Sequence, residues 1–258
     1  MSEDFAPLIL AVETATRAGS ISLLHGRDVI SSVSGDANSS HSSDLIQNIT
    51  RVLEASGSNL KDIDVYAAAS GPGSFSGLRI GLATVKALAV STDRKCVGVS
   101  TLAAIARAAG VSPRTVALLP AGRGELYAQM FTVSLERVEA LDRPSHLNPS
   151  VLLEKYRFEN ILWAGEGAQA QELTLRDAAS ARNLTLISNG HRSAESERYG
   201  WVIAAKQNHL AEAVGILAFD AHAEGNTISP EDLRATYVRP SDAEIKKDGN
   251  DTSHKSSR

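Results

Sequence analysis

Ser70-Gly-Pro-Gly-Ser-Phe-Ser-Gly-Leu-Arg-Ile-Gly81 is the stretch whose reading decides the fold. Before it, Val65 to Ser70 is a short apolar run that reads as a strand. After it, apolar residues recur at helical spacing from Leu78 to Val90. Glycines at 71, 73 and 77 let the backbone turn sharply and leave its N–H groups unobstructed. The following helix points its N-terminus, the positive end of its dipole, at that loop. The Gly71–Gly77 loop, Ser74 included, is therefore a candidate phosphate-like loop. A plain strand-to-helix turn with no ligand fits the same residues. No Lys follows the glycines as a Walker A loop requires, and the spacing is not a dinucleotide fingerprint.

Upstream, Leu8 to Val12, Gly19 to Leu24 and Val29 to Ser34 are short apolar runs, and Gly26-Arg27-Asp28 is a turn between the last two. They predict an antiparallel meander. Leu45, Ile46, Ile49, Val52 and Leu53 then change the period to that of an amphipathic helix over Ser42–Ala55. Ser40 to Ser43 offer N-caps, and Gly57 is its C-cap. Downstream, Cys96 to Val99 is a strand and Thr101 to Ala109 a helix capped by Ser100 or Thr101. This order predicts an α/β fold with a mixed sheet carrying helices.

Ser112-Pro113-Arg114 marks a lobe boundary. Beyond it, Thr115–Leu119 and Glu125–Val133 read as paired strands around Ala121-Gly-Arg-Gly124. Asn148 caps a short helix with Pro149 at its first position. Ile161–Ala164 is a strand with Gly165–Ala168 as its exit turn, and a helix and a strand at Leu184–Ile187 follow. Leu210–Phe219 is strongly helical, and the polar segment after Ile245 reads as a disordered tail. Arg192–Asn208 fits no recognisable pattern.

The 258 residues carry 43% apolar and 22% charged side chains, enough for a buried core. A net charge of −4 and a pI near 6.0 argue against a free-standing nucleic-acid binder. One cysteine, Cys96, rules out an internal disulfide framework and any multi-cysteine metal site. The acidic start has no apolar signal region and no run reaches the length of a membrane span, so a cytoplasmic protein with no membrane contact is expected.

Glu13-Thr-Ala-Thr16 puts a carboxylate and two hydroxyls at a strand exit. Glu13 and Thr14 could face nucleotide phosphates or hold a metal through water, or the hydroxyls could bond their own backbone. The seven histidines form no His-x₃-His pair, so no metal is expected. No Gly-x-Ser-x-Gly elbow exists, and Cys96 lies inside an apolar strand where a buried thiol is expected. The helix after the glycine loop is apolar on two sides. Ile80, Thr84, Ala87 and Ser91 form one stripe, and Leu78, Leu82, Val85 and Ala89 the other. Such a helix must be covered on more than one face, by its own chain or by another.

Ile9-Leu-Ala-Val-Glu-Thr-Ala-Thr16, Gly71 to Gly81, Val97-Gly-Val-Ser-Thr-Leu102, Gly124-Glu-Leu-Tyr127 and Tyr237-Val-Arg-Pro-Ser-Asp-Ala-Glu244 resemble the TsaB (YeaZ) family of the bacterial tRNA threonylcarbamoyladenosine machinery. The resemblance is dense from residue 8 to about 109 and thin from 110 to 228. It implies an actin-like ATPase (ASKHA) fold of two lobes, each a mixed sheet flanked by helices. The N-terminal lobe would span 1–110 with a return helix near 208–224, and the C-terminal lobe 111–207. A C-terminal extension over 225–244 and the tail 245–258 would complete the chain.

The resemblance also implies a non-catalytic subunit that binds the transferase TsaD, reaches TsaE through that complex, pairs with itself when alone and meets tRNA only within the complex. No catalytic residue and no cofactor are expected. Weak ATP or ADP binding at the glycine loop, or ATP hydrolysis there, is the alternative. The helices Ser42–Ala55 and Leu78–Val90 would form the association surface, with Leu45, Ile49, Val52, Leu78, Leu82 and Val85 as its partner-interface residues. Relatives of TsaD type bind metal through a His-x₃-His pair; the matching stretch Gly98-Val-Ser-Thr-Leu-Ala-Ala-Ile-Ala-Arg107 contains no histidine. The sequence departs from the family at Glu13 (usually Asp), at Pro120-Ala-Gly-Arg123 (usually Asp-Ala-Arg-Arg) and at Ala235 (commonly Pro).

Overall fold

The fold is known from a computed structural model that describes residues 6–35, 41–189 and 200–238. The first half holds β1 (Leu8–Glu13), β2 (Ser20–His25), β3 (Asp28–Ser34), α1 (His41–Ser56), β4 (Val65–Gly71), α2 (Phe75–Thr92), β5 (Lys95–Ser100) and α3 (Thr101–Ala108). The second holds β6 (Ser112–Gly122), β7 (Glu125–Val133), β8 (Val138–Ala140), β9 (Ser145–Leu147), α4 (Pro149–Lys155), β10 (Ile161–Ala164), α5 (Glu166–Ala170), α6 (Glu172–Ser180), β11 (Thr185–Ser188), β12 (Gly200–Ile203) and α7 (Leu210–Ala223).

Two mixed sheets result. The first runs β3-β2-β1-β4-β5: β1 pairs antiparallel with β2 and parallel with β4, in the register Ile9 to Leu24 and to Val65. The second runs β11-β12-β10-β6-β7-β8, with β9 also on β7. Alternation along each strand sends neighbouring side chains to opposite faces, and both faces are covered. Leu10, Val12, Leu23 and Tyr66 pack under α1 and α2. Ile9, Ala11, Leu24 and Ala67 face α3 and α7, which share one core with Ala117, Leu119, Phe131 and Leu162 of the second sheet. The far face of the second sheet buries Trp163 and Trp201 with Leu152 of α4 and Leu175 of α6. The molecule is thus five layers deep, helices alternating with sheets. Burial on both faces is why the central strands β1, β4 and β10 read as unbroken apolar runs.

Local chemistry sets several boundaries. The Ser100 hydroxyl accepts from Ala103 N and caps α3, and the Asn148 side chain accepts from Val151 N and caps α4. Gly57 ends α1 at φ 67°, with Ser58 N donating to Leu53 O. Three boundaries move. The strand expected from Thr115 already begins at Ser112, so Ser112-Pro113-Arg114, read as a lobe boundary, are the first residues of β6. The helix expected from Leu78 begins at Phe75, because Ser74 caps it by accepting from Gly77 N. Gly165–Ala168, expected as an exit turn, mostly enters the short helix α5. β8 and β9 were not expected, nor was β12 within the unplaced Arg192–Asn208. The candidate caps Ser40 to Ser43 and the tail 245–258 lie outside the described residues and side chains. No helix among the described residues is long and apolar enough to cross a membrane.

After α7 the chain crosses back as a strap. Cys96 and Ile228 exchange backbone hydrogen bonds, a 3-10 turn forms at Pro230–Asp232, and Leu233 is fully buried against the α1/α2 side of the first sheet. Thr236 N then donates to Ser70 O at 2.7 Å.

Candidate functional site

The end of β1, the end of β4 and the start of α2 meet at one point and bring together all six residues of the candidate phosphate-like loop. Glu13 ends β1, Thr14 follows it, Gly71 ends β4, Gly73 and Ser74 form the turn, and Gly77 lies in the first turn of α2. The open loop is therefore shorter than Gly71–Gly77.

Its glycines are spaced for contact with the chain itself. Thr14 Oγ1 donates to Gly77 O at 2.8 Å, and Ser74 N donates to Ala15 O at 2.8 Å. A Cβ at Gly73 would stand 2.6 Å from Ala15 O, one at Gly77 2.0 Å from Thr14 O, and one at Gly81 2.1 Å from Thr14 Oγ1. A Cβ at Gly71 would stand 2.5 Å from Thr236 O of the strap. The β1 exit thus lies directly on the head of α2, at a separation that side chains would prevent.

Glu13 is 1% and Thr14 3% exposed. The Glu13 carboxylate accepts from Thr16 N and from Thr16 Oγ1, both at 2.7 Å. These charge-assisted bonds fix the carboxylate within its own turn.

The turn Pro120–Arg123, at the start of the second sheet's hairpin, holds no carboxylate. The carboxylate beside it is Glu125, the first residue of β7, whose Oε2 lies 3.0 Å from His146 Nε2 of β9. Sequence reading overlooked this pair, because His146 is brought to β7 only by the strand register Tyr127 to His146. Cys96 is fully buried and burial pushes its thiol up to about 11, which keeps it protonated at neutral pH. Among the described residues no group of three or more His, Cys, Asp or Glu side chains could hold a metal ion.

The six partner-interface residues need correction. Leu45, Ile49 and Val52 of α1 and Leu82 and Val85 of α2 are buried against the first sheet's own Leu10, Val12, Leu23 and Tyr66. Leu78 is buried in the core shared with α3 and α7. Apolar periodicity marks the face a helix buries, and here the chain's own sheet covers that face. The outward side of the same two helices carries other residues. Ile46 is 57% and Val90 68% exposed, with Ala83 and Ala87 also at the surface. The second stripe of α2 is split: Ile80 and Thr84 are half-buried, Ala87 and Ser91 exposed.

The two-lobed architecture, with mixed sheets flanked by helices, defines an actin-like (ASKHA) α/β protein. A protein-family model described as TsaD, tRNA N6-adenosine threonylcarbamoyltransferase, matches residues 33–233. The tRNA threonylcarbamoyladenosine biosynthesis protein TsaB of Escherichia coli K12 is 26% identical over 245 residues, covering 90% of this chain and 94% of that protein. Its Haemophilus influenzae counterpart is 33% identical over 122 residues, 46% of this chain and 51% of that one. Among solved structures, YeaZ from Pseudomonas aeruginosa superposes with a TM-score of 0.70 at 23% identity, covering 90% of this chain and 99% of that one. The chain belongs to the family that this model describes, and within it to the TsaB/YeaZ proteins. Its role lies in tRNA threonylcarbamoyladenosine biosynthesis.

Proposed function

We propose that the chain is a non-catalytic subunit of this pathway, which binds and supports a TsaD-type transferase, meets TsaE through that complex and self-associates when alone. In this reading it works in the cytoplasm, holds no metal and needs no cofactor. The observation that carries the reading is the closed strand exit. Glu13 is bonded within its own turn, and the backbone of Thr14 and Ala15 occupies the space in front of Gly73 and Gly77. A phosphate cradle needs free backbone N–H groups, and here those of Ser74 and Gly77 already donate to Ala15 O and to Ser74 Oγ.

The partner surface in this reading is the outward side of α1 and α2, around Ile46, Ala87 and Val90, where the small Ala87 permits close approach of another helix layer. Leu82→Asp would place a charge in the core and unfold the first lobe. Ala87→Asp would leave the fold intact and break association. Pull-down and size-exclusion chromatography of the Ala87→Asp variant, with its melting temperature, test this. A folded variant that still binds the transferase contradicts the surface. The rival reading is a nucleotide-binding or ATP-hydrolysing protein using the Gly71–Gly77 loop. Titration calorimetry with ATP-Mg decides it, since tight binding with turnover would end the non-catalytic reading.

A further inference from the structure

A groove runs between α2 and the strap, lined by Arg79, Leu82, Lys86, Leu233, Arg234 and Tyr237. Its apolar floor is Leu82 and Leu233, both buried. Three cations surround that floor: Arg79 and Arg234 are exposed and Lys86 is half-buried. Among the described residues none of the three forms an ion pair, and the strap's own carboxylates, Glu231 and Asp232, pair with none of them. In a chain of net charge −4, three unpaired cations around one groove make a local positive field.

Aromatic rings stand at the same place. The Arg79 guanidinium sits 3.8 Å from the Phe75 ring centroid, and Phe75 and Tyr237 have centroids 5.6 Å apart. Tyr237, the outer ring of this tilted pair, is 44% exposed. Cations along a groove, combined with an exposed ring, are the elements by which proteins hold single-stranded nucleic acid: the cations follow the phosphates and the ring stacks a base. The groove lies open to solvent, whereas pockets for small molecules enclose most of their ligand.

We propose that the groove between α2 and the strap binds RNA, with backbone phosphates on Arg79, Lys86 and Arg234 and a base against Tyr237. That the RNA is tRNA rests on the function proposed above; the groove's chemistry does not.

The test is fluorescence anisotropy of the full chain with a labelled tRNA anticodon stem-loop, from about 50 to 200 mM salt. Saturable, salt-dependent binding is expected. The variant Arg79→Ala/Lys86→Ala/Arg234→Ala should bind at least about 10-fold more weakly, and its log–log salt slope should be shallower by about 2, at roughly 0.7 per phosphate contact to a single strand. Tyr237→Ala should weaken binding about 5-fold or more, while Tyr237→Phe keeps it. Arg234→Ala alone, on the exposed strap, serves if the triple variant fails to fold.

No saturable binding by the unaltered chain, or an unchanged affinity and slope in the triple variant, overturns the proposal. So does ATP displacing the RNA at concentrations below the RNA's own Kd, which would assign the groove to a free nucleotide. Co-purification with the transferase, run in parallel, separates the two readings. RNA binding through these residues without transferase binding upholds the groove and breaks the functional reading. Transferase binding without RNA binding does the reverse.

Discussion

Two glycine-rich turns in this molecule look alike in sequence and do opposite things in space. At the head of α2, Gly73 and Gly77 face the backbone of Thr14 and Ala15 so closely that a Cβ would stand 2.6 Å or less from it. At the β6–β7 hairpin, Gly122 and Gly124 have nothing within 4 Å of a Cβ. Their requirement is conformational. Gly122 at φ 83°, Arg123 at φ 53° and Gly124 at φ 77° are three successive positive-φ residues at a tight hairpin turn. The first turn is a packing contact between two strand exits, and the second is only a bend. A glycine count in sequence cannot separate a ligand cradle from either.

The largest effect should therefore fall on the first turn. Ala is normally favoured over Gly inside a helix by about 1 kcal/mol, yet Gly77→Ala should destabilise the chain by about 2–3 kcal/mol through overpacking against Thr14. Thermal unfolding would show this as a Tm lower by roughly 5–10 °C; an unchanged or raised Tm would break the comparison. Thr14→Val removes the buried hydroxyl that donates to Gly77 O and should lower stability by about 1–2 kcal/mol in denaturant titration. Gly124→Ala meets open space and only the strain of positive φ, about 1 kcal/mol. If it proved as costly as Gly77→Ala, the distinction between the turns would be lost. Cys96 lies beneath the strap that also closes over Gly71. With its thiol held protonated until about pH 11, it should not react with a thiol reagent at pH 8 in the native chain and should react fully once unfolded. Native reactivity would mean that the strap opens.

The elements of the first half were legible because their signals are local: unbroken apolar runs, Ser100 as a cap, Gly57 as a helix stop. So was the gathering of Glu13, Thr14, Gly71, Gly73, Ser74 and Gly77 at one point, which follows from strand exits of a common sheet. Two things were not legible. Apolar spacing on α1 and α2 marks the face that is buried but not what buries it, so Leu45, Ile49, Val52, Leu78, Leu82 and Val85 were assigned to a partner when the chain's own core holds them. The strap's contacts depend on pairings across more than a hundred residues, such as Cys96 with Ile228. Their only trace in sequence is a few apolar residues, Ile228 and Leu233 among them, in a polar stretch.

Co-purification of the full chain with the TsaD-type transferase of the same organism tests the central claim most directly. The account predicts a stable complex that Ala87→Asp abolishes without lowering the melting temperature, together with no ATP turnover by the chain alone. ATP turnover by the isolated chain, or no complex with the transferase, would contradict it.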